Sequence, residues 1–129
     1  MPRSTRQRDA IEGALAGAGR PLSPKEVLDA ARFAVPTLGM ATVYRNLARL
    51  LEDGAIVPVN LPGEVARYEL RCAAENHHHH FRCNRCDAVF DVDGCPRNLA
   101  ALVPDGFELL DHDIVLYGLC AGCVKRHAG

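Results

Sequence analysis

Residues 77–86 read HHHHFRCNRC, four consecutive histidines followed by a Cys-x-x-Cys pair, and a second pair stands at Cys120 and Cys123. Two such pairs supply four thiolates, the number a tetrahedral zinc ion takes when its job is structural and no position is left for water. Cys83, Cys86, Cys120 and Cys123 are therefore the candidate structural zinc ligands. The histidines remain, and the pleat of a strand decides what they can do. If residues 77–82 are extended, His78 and His80 face one way while His77 and His79 face the other. One run then serves two sites. An expression tag or a solvated polar run is the plainer alternative, but a tag normally sits at a terminus and this run adjoins a cysteine pair.

The 129 residues leave room for one ordinary domain or two very small ones, each with a thin core that would benefit from a metal staple or a partner subunit. No window holds the roughly 18 apolar residues of a membrane span, and MPRSTRQR has no apolar signal core. The expectation is a cytoplasmic protein with no membrane partner. In a reducing compartment, six cysteines arranged as two close pairs and two singles argue for metal ligation before disulfides. Net charge is only −1, yet residues 1–52 carry eight Arg or Lys against five Asp or Glu. A basic half beside an acidic, ligand-rich half suggests that one part meets an anion and the other a cation, although any solvated surface also mixes charge.

Along the chain, Ile11 and Leu15 among alanines predict a first helix over 5–18, with Arg3, Arg6 and Arg8 crowding a start where the helix dipole favours a negative partner such as phosphate. Ser23-Pro24-Lys25-Glu26 is a capping box with proline at the first helical position, opening a second helix to about Phe33 that buries Val27, Leu28 and Ala31. A third covers Met40 to Glu52, with Val43, Leu47, Leu50 and Leu51 inward and Gly54 as the stop. Two β-prone runs, 55–59 and 65–70, flank the turn Leu61-Pro62-Gly63-Glu64, so a hairpin wing follows a helix-turn-helix. Outward on the third helix are Thr42, Tyr44 and Arg45, suited to base edges and phosphate, or simply a solvated face. Beyond a linker at 72–76, strands are predicted at 77–82, 88–92, 107–110 and 113–116, with a short helix over 97–103.

TRQRDAI (5–11), ATVYRNL (41–47) and the histidine run with CNRC, LYGLC and AGC together closely resemble the ferric uptake regulator (Fur) family of bacterial metal-dependent repressors. The resemblance spans essentially the whole chain. It implies an α+β protein: a winged helix-turn-helix DNA-binding domain over 1–71, a hinge at 72–76 and an α+β dimerisation domain over 77–129. It also implies a homodimer that binds a palindromic double-stranded DNA operator when its regulatory metal is present, with no catalytic residues and no small-molecule substrate. Residue by residue, the four paired cysteines match the family's structural zinc site, and Arg8, Tyr44 and Arg45 match basic and recognition-helix positions. His78, His80, Cys72 and Asp91 match the sensory site at the hinge, and His77, His79 and His112 match a third site.

Position 72 bears on the metal. Iron- and peroxide-sensing members place a carboxylate there or use a nearby glutamate, whereas a thiolate with two imidazoles favours zinc, as in the zinc-sensing branch. A small buried hydrophobe is the alternative for Cys72. Zinc is the expected regulatory metal, with iron, manganese or peroxide sensing as the rival on the same scaffold. Two departures stand out. Arg20-Pro21-Leu22-Ser23 lacks the histidine that many iron sensors supply, which leaves Asp91, Glu64 and Glu69 as sources of a fourth ligand. Asn98 falls where an acidic residue completes the third site, so that site is absent or borrows Cys95 or Asp93.

A zinc hydrolase or deaminase is a rival from another class. Deaminases pair His-x-Glu with Pro-Cys-x-x-Cys, but Arg82 and Leu119 precede the two pairs here and the histidine run contains no glutamate. A thiol oxidoreductase is disfavoured because two matched pairs are better explained as one zinc tetrad.

Overall fold

The computed structural model describes residues 3–71, 78–94 and 98–128. The chain divides into two compact units, Met1–Asn76 and His77–Gly129.

The first unit runs α1 (Arg3–Ala18), α2 (Pro24–Ala31), α3 (Met40–Glu52), β1 (Ile56–Val59) and β2 (Arg67–Leu70). Helix α2 starts where its cap forms. Ser23 Oγ accepts the Glu26 N–H at 3.2 Å and Glu26 Oε1 accepts the Ser23 N–H at 3.0 Å, a reciprocal capping box worth about 1 kcal/mol. Helix α3 stops at Gly54, whose φ of 75° lets its N–H reach Leu51 O and the Ala55 N–H reach Leu50 O, the two bonds of a Schellman cap. Between these ends Ile11 and Leu15 of α1, Val27 and Leu28 of α2, and Val43, Leu47 and Leu50 of α3 close one core. Cutting a buried leucine there to alanine costs about 2–5 kcal/mol.

The wing is an antiparallel hairpin with Ile56 opposite Leu70 and Val59 opposite Arg67. A third strand position completes it: Leu22 exchanges both backbone hydrogen bonds with Tyr68, at 2.9 and 2.8 Å. β2 is therefore central and β1 is the edge, where Pro58 can lack an N–H without breaking the ladder. Helix α2 is shorter than its sequence predicts, ending at Ala31, and Phe33 beyond it is exposed.

The second unit is a three-stranded sheet in the order β4-β3-β5. β3 (His78–Cys83) is antiparallel to β4 (Val89–Asp93) and parallel to β5 (Val115–Gly118). A 3-10 helix covers Leu99–Leu102 and a last helix, α4, covers Ala121–Ala128. Two strand expectations change. Residues 107–110 form no strand, and Phe107 and Leu110 stand exposed. β5 begins at Val115, two residues late, because its ladder to β3 starts at His80–Val115. The segment carrying Cys123 is helical.

This unit hides little hydrocarbon. Its buried residues among those described are Cys83, Ala88, Val89, Cys123 and His79, while Leu102, Phe107, Leu110, Leu116 and Tyr117 are exposed. So small a core depends on a metal, a partner surface, or both. No helix among the described residues is long and apolar enough to cross a membrane.

Candidate metal centre and nucleic-acid interface

The end of β3 and the start of β4 are joined by a tight knuckle. Asp87 N–H reaches Cys83 O at 3.0 Å, Cys83 N–H reaches Ala88 O at 2.9 Å, and Asp87 takes a φ of 65°, a left-handed position that aspartate tolerates better than most residues. The knuckle turns Cys83 and Cys86 toward the same point. From the other side, β5 and the first turn of α4 bring Cys120 and Cys123, and all four sulfurs lie within 4.8 Å of one another. Cys86 Sγ and Cys120 Sγ are 3.8 Å apart.

The backbone prepares these sulfurs for charge. Cys83 Sγ accepts N–H groups from Cys86 and from Cys120, each at 3.4 Å, and these two bonds, in that order, bring its thiol down to about 6. Cys120 is lowered chiefly by the Cys123 N–H. Cys123 is pushed up to about 12, first by burial and then by the neighbouring thiols of Cys83, Cys120 and Cys86. Cys86 is raised too: the Ala88 N–H opposes this, but burial and the Cys83 and Cys120 thiols outweigh it. Four convergent sulfurs, those of Cys83 and Cys123 buried and that of Cys83 already receiving two N–H bonds, fit a tetrahedral thiolate site, and zinc is the ion such a donor set takes.

Alternation along β3 separates the histidines. His80 pairs with Asp91 in the β3–β4 ladder, its Nε2 3.3 Å from Asp91 Oδ1, and both side chains are mostly shielded. His78 is opposite Asp93 in the same ladder. His79 points to the other face, where it is buried with its ring 4.9 Å from that of His112. Its Nδ1 accepts the Ile114 N–H at 3.2 Å. A ligating imidazole donates from its free nitrogen. In this structure His79 accepts there instead. Asn98, at the acidic position of that third site, is exposed. Cys72, His77 and Cys95 lie outside the described residues. Glu64 accepts from Arg67 at 3.1 Å, and Glu69 is buried on β2.

On the first unit, Arg8, Thr42 and Arg45 line one cavity of about 220 Å³ together with Thr5, Gln7, Asn46 and Arg49. Arg45 lies back along α3, its Nη2 donating to Thr42 Oγ1 at 3.0 Å. Tyr44 does not join them. It is 56 % exposed and lines a separate groove with Lys25, Met40 and Val65 at the wing. Gln7, Asn46 and Arg49 are not singled out by the sequence reading. Arg49 is detectable in principle, since it follows Arg45 by four residues on the same helix face.

A winged helix-turn-helix with an arginine-lined cavity, followed by a separate unit holding a four-thiol cluster, defines a metal-binding regulator of the winged-helix class. The comparisons with known proteins place it further. Residues 2–117 match the ferric uptake regulator family. The transcriptional regulator FurA of Mycobacterium tuberculosis is 34% identical over 124 residues, covering 94% of this chain and 82% of its own. The Helicobacter pylori ferric uptake regulator, described as having three functional metal binding sites, superposes with a TM-score of 0.63 at 26% identity, covering 92% of this chain and 79% of that one. FurB of M. tuberculosis, described as a zinc uptake regulator, gives 0.51 at 29% identity, covering 94% and 95%. The chain belongs to the ferric uptake regulator family. It is a metal-responsive transcriptional regulator and not an enzyme, with the family's N-terminal DNA-binding and C-terminal dimerisation domains.

Proposed function

We propose that this protein is a zinc-responsive repressor of metal-uptake genes, with a DNA-binding domain over 1–71, a hinge at 72–76 and a dimerisation domain over 77–129. The four cysteines hold a structural zinc. A second, regulatory zinc is bound by Cys72, His78, His80 and Asp91, which flank residues 73–76 in sequence, so that occupancy fixes the connector and favours one arrangement of two DNA-binding domains. Moving such an equilibrium from about 1:99 to 99:1 takes roughly 5.5 kcal/mol of differential metal affinity, within reach of thiolate and imidazole ligands. The homodimer reading is supported by the exposed apolar side chains of the second unit, Leu102, Phe107, Leu110, Leu116 and Tyr117 among them. Arg8, Thr42, Tyr44 and Arg45 then meet a palindromic operator in the cytoplasm.

The observation that carries the sensor is the shielded His80–Asp91 pair on the sheet that ends in the thiol cluster. The choice of zinc rests on the thiol at position 72. An iron or manganese sensor is the second reading, favoured by the same His80–Asp91 pair, whose nitrogen and oxygen donors suit those ions. Elemental analysis, combined with DNA binding before and after mild chelation and on titration with each metal, tests both readings. One retained zinc per chain with DNA binding restored by a second zinc is expected. DNA binding by Cys72→Ala at the wild-type zinc concentration would refute the zinc sensor.

A further inference from the structure

Three guanidinium groups line one cavity that no carboxylate among the described residues lines. Arg8 of α1 and Arg45 and Arg49 of α3 line the same cavity of about 220 Å³, and among the described residues none of the three forms an ion pair. Like charges four residues apart on a helix repel. The dipole of α3 favours a cation in its last turn and so explains Arg49 alone, not the meeting of three. Arg45 is held toward the cavity by its bond to Thr42, and Gln7 adds a neutral donor. Tyr44 faces a different groove.

We infer that this cavity seats one backbone phosphate of the bound DNA, with Arg49 as a phosphate ligand beside Arg8 and Arg45. The assignment rests on the reading of α3 as the DNA-contacting helix and divides that helix in two. Tyr44 is left to meet a base edge, while Arg49 positions the duplex and carries no sequence information itself.

The test uses the full-length, zinc-loaded protein and two labelled duplexes of equal length, one selected by the protein from a randomised pool and one scrambled. Arg49→Gln is expected to weaken both duplexes by the same factor. It should also lower the slope of log affinity against log salt by about 0.9 for each DNA-binding unit engaged. Arg49→Lys keeps the charge and should keep the slope, which separates a lost phosphate contact from a fault in folding. An unchanged slope in Arg49→Gln would overturn the seat. So would a loss confined to the selected duplex, the mark of a base reader. A cavity that serves free phosphate instead would show competition by phosphate buffer at matched ionic strength with no change of slope in the variant, and that result also overturns it. Wild-type protein that binds neither duplex would overturn the DNA-binding reading itself, and the seat with it.

Discussion

Nε2 of His80 lies 3.3 Å from Oδ1 of Asp91 across the β3–β4 ladder, with both side chains mostly shielded from solvent. An imidazole nitrogen and a carboxylate oxygen this close suit a shared cation, or an ion pair when the imidazole is protonated. Asp91→Asn keeps the shape and removes the charge; His80→Ala removes a donor. Each should raise the free zinc needed for half-maximal DNA binding by at least about tenfold, since even indirect support of a metal ligand is worth that much. Each should still retain the structural zinc. Anisotropy titrations in zinc-buffered solution measure the shift, and an unchanged midpoint would remove this pair from the sensor.

The thiol cluster makes a prediction about protons. Zinc takes thiolates, so every thiol still protonated must release its proton on binding. With Cys83 brought down to about 6, Cys120 lowered, and Cys86 and Cys123 raised, part of the cluster is ionised before metal arrives. Uptake at pH 7 should therefore release about two to three protons per zinc instead of four. As pH falls through the Cys83 value that thiolate is also lost, the count rises, and zinc affinity drops more steeply below pH of about 6 than above it. Calorimetry of zinc uptake in buffers of different ionisation enthalpy gives the number. Four protons at neutral pH would mean that the two N–H groups on Cys83 do not favour its thiolate.

Helix α3 is fully legible in the sequence because Val43, Leu47 and Leu50 recur at helical spacing between two glycines. The opposite facing of His79 and His80 is legible because a strand has only two faces. Other features have no local signature. Leu22 enters the wing sheet as a single bridged residue, too short for any periodicity. Helix α4 buries Cys123 alone among its described side chains, so ligand placement and not an apolar stripe defines it. Phe107, Leu109 and Leu110 look like a strand for the opposite reason: apolar spacing cannot distinguish side chains buried within a fold from those left at its surface. Arg49 follows Arg45 by one turn and so shares its helix face, but its meeting with Arg8 depends on how α1 crosses α3, which no single helix reports.

Glu26 does two jobs in the first unit. Its carboxylate closes the capping box of α2, and it also meets Arg20 at 2.9 Å and the buried Arg67 of the wing at 3.9 Å. Glu26→Ala loses both functions and should cost about 1–3 kcal/mol in urea unfolding. Glu26→Gln keeps a side chain able to close the box and loses only the charge, so its cost should be smaller. A silent Glu26→Gln would mean that the cap accounts for the whole effect and the ion contacts for none.

Gly118 lies beside Phe81 in the parallel ladder, where it is paired with Cys83, and a Cβ built on it would come 3.0 Å from Cζ of that ring. The ring fills the space a side chain would need. Two residues further on is Cys120, so anything that pushes β5 away from β3 also draws Cys120 from the cluster. Gly118→Val should destabilise the protein by about 1–3 kcal/mol through overpacking, and it should release zinc to a chelator faster than wild type. Gly118→Ala should do less on both counts. Because the obstacle is a specific ring, Phe81→Leu combined with Gly118→Ala should recover part of the zinc retention, a coupling that independent sites would not show. Thermal unfolding and timed zinc transfer to a coloured chelator read the two effects, and a Gly118→Val protein that keeps its zinc as long as wild type would show that Phe81 is no wall at this position.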